Sequence, residues 1–524
     1  MRERSPTARA LGAPEILITA SEAYPAFERR FLAARAHIRM GFRIFDPMTP
    51  LYSEEGRAVG RDWFDLIVHT LSRGVRIDLA LCDFDPVVAS RIHRLTWRSI
   101  RMLLAAEEVA GPGAGPLNVI AAMHPARIDF LPRALLYGHI RGELRERSEW
   151  LAGMAPGPRA RALAEMPGLV RHIVPRGGGY APKLWPIAAL VPTSHHQKVA
   201  VFDREWLYIG GLDLDERRHD GWAHDHPGPE TWHDVQLLLR GPAAADAHAH
   251  LGRFLDEVAG RRPAAPDAGR LLRTLSGKRP RAWGAAMSPR PLVDEIARLH
   301  HREAARAERF IYLESQFFRD RRLAHALADA ARANPALHCI LILPAAPEDV
   351  AFQDRKKVDA RFGEFLQAYC LRRIRRAFRS RLFIGCPAQR RREGSRTELG
   401  RDVHAGAPLI YVHAKVSIFD ERVGLVSSAN LNGRSLRWDT EAGVALDDPA
   451  DVAHLRRRCF EHWLPDDAGP ELFSPQTATG AWARLARANA ALPPARRRGF
   501  LLPYDIKRGE AFGRGMPGIP EEMV

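Results

Sequence analysis

His196-Gln-Lys-Val-Ala-Val-Phe-Asp203 and His413-Ala-Lys-Val-Ser-Ile-Phe-Asp420 both read HxKxxxxD and agree at five of eight positions. Six residues after each Asp comes a corner of small residues, Gly210-Gly211-Leu212-Asp213 in the first copy and Ser427-Ser428-Ala429-Asn430 in the second. One HxK is common; a second copy with the same downstream spacing marks an internal repeat. Each copy reads as an apolar strand carrying His and Lys, a charged turn, a second apolar strand and a tight corner, which is a hairpin. The two-residue period of a strand puts His196 and Lys198 on one face, opposite Val199, Val201 and Asp203, and treats His413 and Lys415 alike. Asp203 and Asp420 complete the catalytic motif, but their parity turns them away from their own His, so they are expected to fix the turn or support the site.

The copies lie 217 residues apart in a chain of 524 residues, longer than one core usually grows, so two related domains are expected. Hydrophobic content of 46% and charged content of 27% supply apolar material for two cores. No apolar run approaches the roughly 18 residues of a membrane span; the best, Ile187 to Pro192 and Ile340 to Pro344, are far too short. Arg2, Arg4 and Arg9 precede Pro14 and Glu15, which break any signal-peptide core. Cys82, Cys339, Cys370, Cys386 and Cys459 are odd in number and lack CxxC spacing, as expected of reduced thiols in the cytoplasm.

The formal charge of +16 suits a polyanionic partner: an anionic bilayer, a phospholipid headgroup or nucleic acid. The runs Arg372-Arg373-Ile374-Arg375-Arg376 and Arg390-Arg391-Arg392 read as solvated faces, and no zinc-finger, RNP or recognition-helix pattern accompanies them.

Residues 15–85 alternate strands and helices, the pattern of an α/β layered sheet. About 95–185 the pattern loosens into helices and Gly/Pro-rich loops, read as an insertion forming a lid or wall of the cleft together with the 385–410 loop. Arg261 to Asp267 reads as the linker, and the strand Phe310 to Phe318 opens a second α/β half. The expected domains are 10–262, 286–465 and a partly irregular Pro/Arg-rich tail, 466–524.

Two His/Lys pairs on converging strands suit attack on a phosphodiester. One imidazole acts as nucleophile, its partner protonates the leaving alkoxide, and the ammonium groups neutralise nonbridging oxygens. This chemistry needs no metal and no cofactor. The polar stretch His219 to His226 has no recognised metal-ligand spacing and reads as a rim loop. Glu314 and Gln316 share a strand face by parity and are candidate lining residues beside His413.

The chain resembles the phospholipase D superfamily, whose mark is the duplicated HxKxxxxD motif followed by a Gly-Gly or Gly-Ser corner. Gly210 to Leu214, Trp232-His-Asp-Val235 and Ile311 to Phe318 are similar to stretches of phosphatidylcholine-hydrolysing phospholipases D, while Ser428 to Glu441 is similar to bacterial cardiolipin synthases. The resemblance implies two mixed sheets flanked by helices, joined about a pseudo-twofold with the active site between them. It implies a phosphohistidine route with His196 as nucleophile and His413 as general acid. Lys198, Lys415 and Asn430 then hold phosphate oxygens, Gly210, Gly211 and Ser428 form the corners, and Asp234 and Glu441 each fix the tautomer of their own half's histidine. Two departures stand out: Asp213 replaces the usual Asn, which makes it an orienting residue, and Ser427 replaces the usual Gly. The implied activity is cleavage of a glycerophospholipid headgroup at a membrane surface, releasing phosphatidate or passing phosphatidyl to an alcohol. Cardiolipin-type transfer is the alternative, and a metal-independent nuclease ranks below both. The expected protein is a cytoplasmic monomer, peripheral at the inner membrane face.

Overall fold

Seven strands recur in the same spatial order in the two halves of the chain. The computed structural model describes residues 13–266, 269–279, 284–352, 358–392 and 401–524. Arg2, Arg4, Arg9, Asp267 and positions 393–400 of the 385–410 loop lie outside that range.

The first half supplies β1 (Glu15–Ile18), β2 (His37–Phe42), β3 (Arg76–Asp83), β4 (Leu117–Met123), a separate small hairpin of β5 (Ile173–Arg176) and β6 (Gly179–Pro182), then β7 (Val199–Phe202), β8 (Trp206–Gly210) and β9 (Val235–Arg240). The second half supplies β10 (Leu271–Gly277), β11 (Arg290–Asp294), β12 (Phe310–Glu314), β13 (His338–Ile342), β14 (Leu382–Pro387), a short pair of β15 (Val403–His404) and β16 (Ala407–Pro408), then β17 (Val416–Phe419), β18 (Val423–Ser427), β19 (Glu441–Leu446) and β20 (Leu501–Pro503). The first sheet runs β1-β9-β8-β7-β2-β3-β4 and the second β11-β10-β19-β18-β17-β12-β13-β14-β20. Without edge strands β11 and β20, the two orders correspond strand for strand. In each, three strands are parallel (β2-β3-β4 and β12-β13-β14) and the rest antiparallel, giving the mixed α/β architecture expected of the repeat. Parallel neighbours need crossovers, supplied by helices such as Trp63–Ser72 and Ser90–Ala110 in the first half and Arg321–Ala333 and Val358–Phe378 in the second.

The inner faces of both sheets share one core. Val199, Val201, Leu207 and Ile209 bury with Val416, Ile418, Val426 and Val444 in a single apolar cluster. The period of two that predicts this face also frees the opposite face of each hairpin for helix packing.

Three expected boundaries shift. The second sheet begins at Leu271 rather than 286, because β10 pairs with β19. The tail is ordered: the helix Ala478–Ala491 buries Trp482 against Phe460, with ring centroids 4.7 Å apart, and β20 adds to the sheet beside β14. The helix Ser90–Ala110 and β4 belong to the first sheet's layers, so the insertion starts after Met123. It closes a small core of its own from Ile128, Ile140, Leu144, Leu151, Leu169 and Ile173.

Candidate active site

The motif strands start later than the sequence pattern suggests, at Val199 and Val416. The histidine segments ahead of them are extended but bridge to the opposite half. His195 pairs with Thr440 and Val412 with His233, as isolated parallel bridges. The His196 amide donates to the Thr440 carbonyl and the His413 amide to the His233 carbonyl, each at 2.8 Å. These two equivalent backbone links bring the histidines to one place.

They also exchange the carboxylates. Asp234 and Glu441 occupy equivalent positions, one residue beyond the bridging His233 and Thr440, so each reaches the other half's histidine. His413 Nδ1 lies 2.7 Å from Asp234 Oδ2, and His196 Nδ1 lies 3.1 Å from Glu441 Oε2. The expected pairing within each half is therefore corrected to a crossed one. When ionised, each carboxylate only accepts, so the pairs put a proton on Nδ1 and leave Nε2 as the reacting nitrogen. The parity of His and Lys holds: Lys198 Nζ lies 3.4 Å from His196 Nδ1, and Lys415 Nζ lies 2.8 Å from His413 Nδ1. Each ammonium donates to the carbonyl of its own histidine.

The site is nearly closed to solvent, with His196 9% and His413 4% exposed. Burial, followed by the nearby lysines, pushes both imidazoles well below the usual histidine range. This favours the neutral ring, the form His196 needs as a nitrogen nucleophile. His196 is among the charges acting on His413, which places the two rings within each other's field. Burial also lowers Lys198 to about 8 and Lys415 to about 7, and raises Glu441 to about 8.

Asp213 is the largest of the charges that raise Lys198, as Asp234 is for Lys415. The Asp213 carboxylate is raised by burial but lowered more by Lys198, Arg218 and Arg43 and by the Ile44 amide. It accepts from Arg218 at 2.8 Å and from Ile44 N at 2.9 Å, with Lys198 Nζ at 3.8 Å. The equivalent Asn430 carries no charge; its amide donates to Gln316 Oε1 at 3.1 Å. Arg43 and Gln316 are themselves equivalent, each two residues before a bridge, Phe45 to Leu214 or Phe318 to Leu431. A charged Arg–Asp pair in one half thus stands where a neutral Gln–Asn pair stands in the other.

Asp203 and Asp420 stand where their parity puts them, in the turns. Asp203 and Asp420 are not at the chemistry. Asp203 accepts from the backbone amides of Arg35, Ala36 and His37, each at 2.9 Å, and Asp420 from Glu308, Arg309 and Phe310 at 2.6–2.8 Å. Both sit at left-handed φ, 52° and 53°, in the hairpin turn, and tie that turn to the start of β2 or β12. Gly210 and Gly211 clear space: a Cβ on Gly211 would lie 2.3 Å from Asp234 Oδ1, and one on Gly210 1.7 Å from Gln236 Oε1. In the second half the glycine has moved across the strand pair, so Ser427 is accommodated by Gly443 opposite. Ser428 donates to Glu441.

Glu314 does not line the site beside His413. It is fully buried, accepting from His233 Nε2 at 2.8 Å, Trp463 Nε1 at 2.9 Å and the Tyr312 hydroxyl. The strand ends there, and Gln316 alone reaches the corner, donating also to the Tyr411 hydroxyl at 2.8 Å. The stretch from His219 to His226 is likewise no simple rim: Asp220 and His224 are buried.

Sequence reasoning missed Arg43, Arg218, Asp439 and His233. Arg218 stacks on Trp232 at 4.6 Å, and Asp439 accepts from Thr193 Oγ1 and Ser194 N at 2.8 and 2.7 Å, anchoring the segment that carries His196. His233 and Asp439 stand beside Asp234 and Glu441 in the two stretches that carry the resemblance, Arg218 lies five residues beyond Asp213, and Arg43 has no local signal.

Residues 301–463 match the family model described as cardiolipin synthase, PLD-like domain. No curated protein matches by sequence. Among solved structures, phosphatidylserine synthase from Haemophilus influenzae Rd KW20 is similar at 13% identity and TM-score 0.49, over 91% of this chain and 94% of that one. Polyphosphate kinase from Porphyromonas gingivalis is similar at 11% identity and TM-score 0.42, over 86% of this chain; this chain spans about half (46%) of that one. The motif is duplicated on equivalent hairpins and both histidines are brought together, and the half that carries His413 matches a PLD-like domain over residues 301–463.

Proposed function

We propose that the chain cleaves the headgroup phosphodiester of a glycerophospholipid and transfers the phosphatidyl group to water or an alcohol. The observation that carries the reading is the crossed pair of His–carboxylate units, each beside a buried lysine. His196 Nε2 attacks phosphorus as the bond to the headgroup oxygen breaks, and that oxygen takes the Nε2 proton of His413, which enters the step as an imidazolium paired with the Asp234 carboxylate. In the second step His413 takes the proton of the incoming water or alcohol, whose oxygen displaces His196 from phosphorus. Lys198, Lys415 and the Asn430 amide neutralise or donate to the nonbridging oxygens, the electrostatic contribution that is usually largest in such transfers.

A membrane partner is supported by the surface. No helix among the described residues is long and apolar enough to cross a bilayer. The insertion nevertheless exposes Phe130, Leu131, Leu135, Leu184 and Trp185 outside its own core, Leu135 at 82% and Trp185 at 69%. With a net charge of +16, such a patch suits an anionic bilayer surface.

The test is incubation with phosphatidylcholine or phosphatidylethanolamine vesicles and a primary alcohol. Phosphatidate plus an alcohol-capped lipid supports the reading if both vanish in His196→Ala; their absence from wild type defeats it. The second reading, transfer of phosphatidyl to phosphatidylglycerol, is favoured by the family match over 301–463. Phosphatidylglycerol vesicles alone separate it by yielding cardiolipin and glycerol.

A further inference from the structure

Behind the active site, three imidazoles from the two halves meet in a buried pocket. His224 and His233 come from the first half, and His462 from the helix Pro449–Trp463 of the second. One ring nitrogen of each lies within 4.8 Å of the others, and all three side chains are buried. Ring centroids are separated by 5.0 Å (His224 to His462), 4.5 Å (His233 to His462) and 6.2 Å (His224 to His233).

Two of the rings have their tautomers set from outside. His224 Nδ1 lies 2.6 Å from Asp220 Oδ2, and His233 Nε2 lies 2.8 Å from Glu314 Oε2; both carboxylates are fully buried. Each outer nitrogen donates to its carboxylate, so His224 Nε2 and His233 Nδ1 are left as lone pairs. His224 Nε2 faces His462 Nε2 at 2.9 Å, and His233 Nδ1 has no hydrogen-bond partner although it is buried. An unpartnered buried acceptor is unfavourable unless something fills its lone pair. Carboxylate–imidazole pairs around a common point are how proteins orient metal-ligating histidines. The two carboxylates also supply the negative charge that would balance a buried divalent ion. Trp222, Trp463 and Phe500 pack against the cluster, with ring centroids 4.8 Å (Trp222 to His462), 4.3 Å (Trp463 to His233) and 5.5 Å (Phe500 to His224) apart.

We propose that His224, His233 and His462 bind a divalent transition metal of the zinc class, which pins the two halves together behind the active site. Neutral imidazole is the donor this class prefers. The His233 carbonyl receives the amides of His413 and Ala414, at 2.8 and 3.1 Å, and the next residue, Asp234, orients His413. The ion therefore acts as a structural clamp beside the general-acid half.

The experiment uses the full-length, untagged protein, stripped with chelator, dialysed and titrated with Zn²⁺ and Co²⁺. The expected result is one Zn²⁺ per chain by elemental analysis, Co²⁺ absorption of a nitrogen-ligated low-coordinate site, and a higher thermal midpoint with metal. His462→Phe keeps a ring in place and should weaken uptake by more than about 100-fold, while Glu314→Gln, acting only through His233, should weaken it by roughly 10–100-fold. His69→Ala, on a distant helix, should bind as wild type. If His462→Phe does not fold, His224→Gln provides the same comparison. Failure of wild type to take up stoichiometric metal, or unchanged uptake by a folded ligand variant, overturns the proposal.

Discussion

Replacing Lys415 with Met should stabilise the protein while removing its activity. Lys415 is 3% exposed, and burial lowers it from an ordinary 10.5 to about 7. At about 1.36 kcal/mol per pH unit, that interval corresponds to about 5 kcal/mol of penalty for the charged form in the folded state. Because the folded value is depressed, the unfolded chain binds the extra proton between about pH 7 and 10.5, and wild-type stability rises with pH across that window. Below about pH 7 the full penalty is present. Met fills similar volume without the charge but gives up the donor to the His413 carbonyl and leaves Asp234 without its largest cationic neighbour. These losses offset part of the gain, so a net stabilisation of about 1–3 kcal/mol is expected at pH 6. Glu441, raised to about 8, opposes the trend between about pH 4.5 and 8 in both proteins. Thermal midpoints by circular dichroism at pH 6, 7.5 and 9.5 give the difference, which should shrink as pH rises. Headgroup release should fall by about 10²–10³-fold, as when one donor to a developing charge is lost. A Lys415→Met protein less stable than wild type at pH 6, or a difference that grows with pH, would refute the reasoning.

The crossed carboxylates predict that Glu441→Gln impairs formation of the intermediate on His196 and Asp234→Asn impairs proton transfer by His413. Each should cost about 10²–10⁴-fold in turnover, and burst kinetics should separate the two steps. Asp203→Ala and Asp420→Ala remove acceptors for three amides each; urea titration should show a loss of about 1–3 kcal/mol, with turnover of the folded fraction changed less than about tenfold. Leu135→Glu with Trp185→Glu should abolish cosedimentation with anionic vesicles yet leave hydrolysis of a monomeric short-chain phospholipid unchanged. Equal loss of both would refute the membrane role of the patch.

The sequence made the repeat legible because spacing, parity and turn chemistry are local. His196 with Lys198 and His413 with Lys415 share faces as their alternation requires, and the parity that turned Asp203 and Asp420 from their histidines agrees with their place in the turns. The carboxylate partners were legible as residue types but not as pairs. Which histidine Asp234 meets is decided by the bridge from His233 to Val412, between segments 179 residues apart. Glu314 misled for a related reason: alternation fixes a face, but not whether that face meets the site or the Trp463 and His233 side chains behind it. Ser427 looked like strain because its compensation, Gly443, sits on the neighbouring strand. The ordered tail was obscured by Pro and Arg, although Ala478, Ala481, Trp482 and Ala486 carry a helical stripe.

The central claim is a covalent phosphohistidine formed on one particular ring. Wild type and His413→Ala are mixed with phospholipid labelled in its phosphatidyl phosphate, quenched in alkali and mapped by peptide mass spectrometry. The account predicts label on the peptide containing His196, accumulating in His413→Ala and absent from His196→Ala. Label on His413 instead, or headgroup release by wild type with no labelled histidine at any time, would contradict it.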